Sequence, residues 1–144
     1  MSYLDSSAVP MPSSTPLSEP FWSGLEAGEL RLQVCDNCET WRYPPTSPNC
    51  SGCLSTAVRW EKASGRGRLW SWTVIHHSYS DAFETPYLVA LVELEEGPVM
   101  VSTIIGTVPT DLHCDMALEL IVVNTHQGES IPMFQAVIGS QSEI

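Results

Sequence analysis

The sequence predicts a mainly β protein: a short N-terminal helix, a rubredoxin-like zinc ribbon, then a five-stranded OB-fold barrel. Three observations predict it. Four of the five cysteines fall in two Cys-x2-Cys pairs, Cys35/Cys38 and Cys50/Cys53, with eleven residues between the pairs. Beyond them lie five runs rich in β-branched or aromatic residues, each bounded by turn formers. Between the third and fourth runs, 109–116 leaves room for one helical turn, as suits an OB-type barrel.

Residues 1–17 are rich in Ser and Pro without periodicity and read as a flexible tail. A helix over 18–27 follows, with Ser18 as cap, Pro20 in the first turn and Gly28 as its stop. Phe21, Trp22 and Leu25 lie on one face of it. So short a helix is marginal alone, so that face must dock on something. Leu30, Leu32 and Val34 alternate with Arg31 and Gln33, as a strand leading into the first cysteine pair would. Helix and ribbon together occupy 18–63. The hinge Ser64-Gly65-Arg66-Gly67 opens the barrel, 64–140, whose runs are 69–77, 87–94, 99–105, 117–124 and 131–138. Glu95-Glu96-Gly97-Pro98 reads as the hairpin turn between the second and third.

The cysteine spacing carries the chemistry. Two residues between cysteines let one tight turn point both thiolates at one ion, with Asn37 and Gly52 supplying tolerance of positive φ. Cys35, Cys38, Cys50 and Cys53 then close a tetrahedron around zinc, or iron in the same site. Four protein ligands leave no place for water, so the metal is structural. Two disulfides or free buried thiols are the alternatives to a metal. Elsewhere there is no phosphate loop, nucleophile elbow or His/Glu metal motif. Cys114 reads as a small buried hydrophobe, and His76 and His77 as a solvated pair. No catalytic residue is expected in this chain.

Charge excludes one function class. All six basic residues lie within 31–68, whereas 69–144 holds ten acids and no Lys or Arg. Zinc ribbons and OB barrels both occur in nucleic-acid-binding proteins, but single-strand binding needs a basic groove beside its aromatics. The barrel half has none, so no nucleic-acid partner is expected. No run is long enough for a membrane span and no signal peptide is evident, so the expected compartment is the cytoplasm, where paired cysteines hold metal. Five Trp in 144 residues give a small protein much rigid aromatic surface. Core packing takes some of it. Phe21, Trp22, Trp41, Tyr43 and Pro44 are the candidate partner-binding residues.

The ordered series Pro20-Phe21-Trp22-x-Gly24-Leu25, Leu30-Arg31-Leu32-Gln33, Tyr43-Pro44-Pro45, Cys50-Ser51-Gly52-Cys53 and Ser64-Gly65-Arg66-Gly67 is similar to a known family. The likeness runs on through Ser71-Trp72-Thr73-Val74-Ile75-His76, 86–94 and Glu96-Gly97-Pro98, covering 19–136. It resembles the acyl-CoA-associated zinc-ribbon and OB-fold proteins long catalogued as domain of unknown function thirty-five. Two features depart from that pattern. Glu39 and Leu54 stand where such ribbons have Gly after a cysteine pair, and Asp115-Met116-Ala117 replaces Gly-Met-Pro. The resemblance implies a non-catalytic subunit in a hetero-oligomer with a thiolase-like enzyme. Such partners act on CoA thioesters as acyltransferases, thiolases or retro-aldolases of steroid and lipid side chains. The ribbon and helix would dock on the enzyme and the barrel border its CoA site. Arg31, Arg42, Arg59, Lys62, Arg66 and Arg68 are the only cations for a CoA phosphate, and some serve to offset the −2 charge of a zinc-thiolate centre.

Overall fold

The structure, a computed structural model, describes residues 13–43, 48–77, 86–124 and 128–137. Helix α1 (Glu19–Glu26) is entered earlier than a Ser18 cap would have it. Ser18 has helical backbone angles and its side chain caps nothing in the helix. Instead Thr15 and Ser18 satisfy each other: the Ser18 N–H donates to Thr15 Oγ1 at 3.1 Å and the Thr15 N–H donates to Ser18 Oγ at 3.0 Å. This is the reciprocity of a capping box, one turn upstream. At the other end Gly28 (φ +80°) turns the chain, and the Glu29 N–H reaches back to the Gly24 carbonyl at 2.8 Å, closing a Schellman motif.

The ribbon sheet has the order β2-β1-β3, with β1 (Arg31–Cys35) antiparallel to both β2 (Trp41–Arg42) and β3 (Val58–Lys62). The second sheet contains β4 (Arg66–Ile75), β5 (Tyr87–Leu94), β6 (Val99–Ser102), β7 (Ile104–Ile105), β8 (Ala117–Asn124) and β9 (Ser130–Ala136), in the order β6-β5-β4-β8-β9-β7. The third predicted run is thus two strands. At Thr103 the run changes partner: β6 pairs with β5, then the Thr103 carbonyl accepts the Phe134 N–H at 3.1 Å and β7 runs parallel to β9. The result is a six-stranded OB-type sheet in which the third run of the expected five supplies both edge strands, β6 and β7. A 3-10 turn, Pro109–Asp111, fills the predicted insert.

Burial alternates along β5, with Leu88, Ala90, Val92 and Leu94 inward. On β4 the phase slips. Leu69 opposes Val92 and Ser71 opposes Leu91, so Trp70 is the extra residue of a β-bulge and is left 56% exposed. One core crosses from helix to sheet: Phe21, Leu25, Leu30 and Leu32 pack in the same cluster as Leu69, Met100, Leu118 and Phe134. Between β3 and β4 the chain changes sheet while the core continues. The base of the ribbon shares its core with the OB sheet, and its cysteine end contributes no residue to that cluster.

Candidate metal centre

That end is built from two knuckles of the same construction. In the first, the Glu39 N–H donates to the Cys35 carbonyl at 2.8 Å; in the second, the Leu54 N–H donates to the Cys50 carbonyl at 2.9 Å. Each knuckle also turns N–H groups onto its leading sulfur: Asn37 and Cys38 onto Cys35 Sγ at 3.4 and 3.5 Å, and Gly52 onto Cys50 Sγ at 3.3 Å. The left-handed residues are not Asn37 and Gly52, as the sequence suggested. They are Glu39 (φ 58°) and Leu54 (φ 65°), because the chain reverses one residue beyond each pair to pass back under its own sulfurs.

The knuckles bring Cys35, Cys38, Cys50 and Cys53 together, with all four sulfurs within 4.8 Å of one another. Cys35 Sγ lies 3.5 Å from Cys53 Sγ, and Cys38 Sγ lies 3.6 Å from Cys50 Sγ. A disulfide would need about 2.05 Å. A tetrahedron with Zn–S of about 2.3 Å has edges of about 3.8 Å, so the donors fit a single zinc-sized ion. No other group of three or more potential ligands is found among the described residues.

The surroundings prepare the sulfurs as thiolates. The Thr40 hydroxyl, 3.1 Å away, leads in drawing the Cys38 pKa down. The Asn37 side-chain amide, 3.4 Å from Cys53 Sγ, does the same for Cys53, and the Cys53 and Gly52 N–H groups do it for Cys50. Cys35 differs. The Cys38 N–H favours its thiolate, but burial and the adjoining thiols outweigh that and push its pKa up. A bound cation would reverse this, since a coordinating thiol is deprotonated outright.

Beneath the knuckles sits Arg42, 9% exposed, a role the sequence did not disclose. Its Nε donates to Gln33 Oε1 at 2.9 Å and its Nη1 donates to the Asn49 carbonyl. One guanidinium thus ties β1 and β2 to the residue that enters the second knuckle. Asn49 in turn donates from Nδ2 to the Leu54 carbonyl at 3.0 Å.

Of the candidate partner-binding residues, Phe21 is buried in the core, 4% exposed. Its ring lies 5.0 Å from that of Trp22, edge to face, and 5.4 Å from that of Tyr43. Trp22, Trp41 and Tyr43 are half-buried against the same core. Pro44 lies outside the described residues. His76 and His77 are exposed, as expected. Cys114 is not buried: it is exposed in a turn whose flanking residues Leu112 and Met116 take the inward positions. His113 Nδ1 donates to the Cys114 carbonyl at 3.3 Å, a contact that gives the thiol no base. No helix among the described residues is long and apolar enough to cross a membrane.

Comparison with known proteins gives two family-model matches: the rubredoxin-like zinc ribbon domain of ChsH2 over residues 22–59, and the C-terminal OB-fold domain of ChsH2 over 60–123. Among curated relatives, a probable enoyl-CoA hydratase alpha subunit of Thermomonospora curvata is 36% identical, over 82% of this chain and 37% of that protein. The 3-oxo-4,17-pregnadiene-20-carboxyl-CoA hydratase alpha subunit of Mycobacterium tuberculosis is 33% identical, over 84% of this chain and 38% of that protein. The chain therefore spans less than two-fifths of either hydratase subunit. A chain in the solved structure of an Ltp2-ChsH2(DUF35) aldolase superposes with a TM-score of 0.80 at 32% identity, covering 88% of this chain and 98% of that one.

Proposed function

We propose a function from one premise: this chain belongs to the ChsH2 family, in which a rubredoxin-like zinc ribbon precedes an OB-fold. On that premise it is a non-catalytic accessory subunit of a thiolase-superfamily enzyme that processes acyl-CoA thioesters. It docks on that enzyme, stabilises it and borders its CoA site. The observation that carries this reading is the likeness over 98% of a chain from an aldolase named for two components, Ltp2 and ChsH2.

The chemistry of the site supports it. Four thiolates fill a tetrahedral metal and leave no position for substrate or water, so the centre holds shape and performs no reaction. The hydratase relatives' names support a CoA thioester, and one of them a steroid side-chain acyl group, as the partner's substrate. The arginines speak against the nucleic-acid reading. Arg31 pairs with Glu29, Arg59 with Asp36 and Glu61, Arg66 with Glu95, and Arg68 with Glu93 and Asp115, while Arg42 is buried.

The half-buried Trp22 and Trp41 are the proposed docking anchors, with Phe21 and Tyr43 as their backing. Truncating such an anchor costs about 2 kcal/mol or more, roughly thirtyfold in affinity. The test is co-expression with a thiolase-like protein, then affinity and thioester turnover for wild type, Trp22→Ala and Trp41→Ala. The expected result is no turnover by the isolated chain, activity in the pair, and weakened binding by both variants with metal content unchanged. Turnover by the isolated chain at the rate of the pair would overturn the subunit reading.

A further inference from the structure

The two left-handed residues of the knuckles differ in what they gain from their place. The turn itself imposes the conformation: at Leu54 the N–H is held by the Cys50 carbonyl and the C=O by Asn49 Nδ2. Glycine would meet the demand without strain, whereas a leucine there crowds its Cβ against the following carbonyl. The Leu54 side chain recovers nothing for this among the described residues. It is 73% exposed, the highest value among the exposed large hydrophobics described, and it belongs to no part of the core. A strained backbone carrying a solvated apolar side chain, beside a metal site, points to use by something outside the chain.

The surroundings say what that is. Residues 35–40 and 50–55 contain Asp36 and Glu39 and no Lys or Arg, in addition to four thiolates whose zinc complex carries −2. Arg59 reaches Asp36 at 2.6 Å but is shared with Glu61 at 3.0 Å. Within 35–40 and 50–55, Leu54 is thus the one large apolar side chain, set in an acidic surface.

We propose that Leu54 is a docking knob that enters an apolar pocket rimmed by lysine or arginine on the partner protein. This rests on the subunit reading above and names a contact of the ribbon end that the helix and β2 aromatics do not supply. An apolar anchor in the middle of an interface carries its energy, and the surrounding charge steers the approach.

Leu54→Gly separates fold from docking, because it relieves the strain while removing the knob. In the purified variant, metal content should stay at that of wild type and the Tm should be equal or higher. In the complex with the thiolase-like protein, affinity should fall at least about tenfold. Leu54→Met, which keeps an apolar side chain, should hold affinity within about threefold. Glu39→Gln should lessen the salt dependence of association. Leu54→Gly that binds as wild type overturns this inference and leaves the subunit reading standing. Leu54→Gly that loses metal or melts earlier assigns Leu54 to the fold and overturns it as well. A wild-type chain that binds no thiolase-like protein overturns the subunit reading first, and this inference with it.

Discussion

The cysteine end of the ribbon and the OB sheet below it are held together by opposite means. In the sheet, Leu69, Val92, Met100, Leu118 and Phe134 are fully buried, and stability is spread over many apolar contacts. In the knuckles the only fully buried side chains are Cys35 and Cys50. Order there comes from four sulfurs, the N–H groups turned onto them, and Arg42 below. The difference teaches where the molecule is free to change. A shared core constrains almost every inward residue of the sheet, whereas the knuckles need four cysteines and a backbone path. Exposed positions such as Leu54 and Glu39 carry no such constraint from a core.

The largest effect expected is loss of one ligand. A structural zinc contributes on the order of 10–16 kcal/mol of apparent binding free energy in small peptides, comparable to the stability of a domain. Cys50→Ser should therefore abolish metal retention and the order of 35–40 and 50–55. It should leave β4, β5 and β8 intact, because Leu30 and Leu32 anchor the ribbon's base in the sheet's core. Metal analysis with amide exchange checks both halves. Equal loss of protection in the sheet would break the comparison.

The complementary variant is Phe134→Ala. Phe134 is 0% exposed and lies in the cluster that joins helix, ribbon base and sheet. Its truncation should cost about 3–5 kcal/mol and lower the urea midpoint of the whole chain, read by tryptophan fluorescence. A smaller effect is expected at Gly67, where an added Cβ would lie 2.7 Å from the Glu93 carbonyl oxygen and 2.9 Å from Val92 Cγ1. Backbone cannot yield there as a flexible side chain would, so Gly67→Ala should destabilise by about 1–3 kcal/mol without altering metal content.

How far each region was legible follows from the same contrast. Strands β5 and β8 match their predicted runs to the residue, because each is a run of apolar, β-branched or aromatic residues with turn formers at its bounds. The cysteine tetrad was legible from spacing alone, since ligand chemistry fixes the turn length. What sequence could not show were the events that depend on a partner distant in the chain. The break at Thr103 arises because Phe134 takes its carbonyl, and the bulge at Trp70 appears only against β5. Arg42 looked like one of six cations until Gln33 and Asn49 were seen to surround it. Phe21 shared the helix face with Trp22, and only the fold separated the buried ring from the half-buried one.

The smallest expected effect concerns acid, and it sharpens the contrast between the two regions. At the hinge, Arg66 Nε and Nη2 donate to the two carboxylate oxygens of Glu95 at 3.0 and 2.9 Å, and the guanidinium holds the Glu95 pKa below its ordinary value. A depressed folded pKa means a contribution present above the unfolded value of about 4.3 and lost as pH falls through the lower, folded one. Both side chains are more than half exposed, so salt screens the pair and the contribution is small. Glu95→Gln should therefore change stability little near neutrality and flatten slightly the decline below pH 4. The knuckles respond with the same sign but through the metal: Cys38, Cys50 and Cys53 have lowered pKa values, and their protonation releases the ion. An acid titration that follows metal release with a chelating dye and the sheet by circular dichroism should show two separate transitions. Glu95→Gln should move only the second. A shift in metal release with Glu95→Gln would show that hinge and knuckles are coupled through the ribbon's base, whose Leu30 and Leu32 lie in the sheet's core.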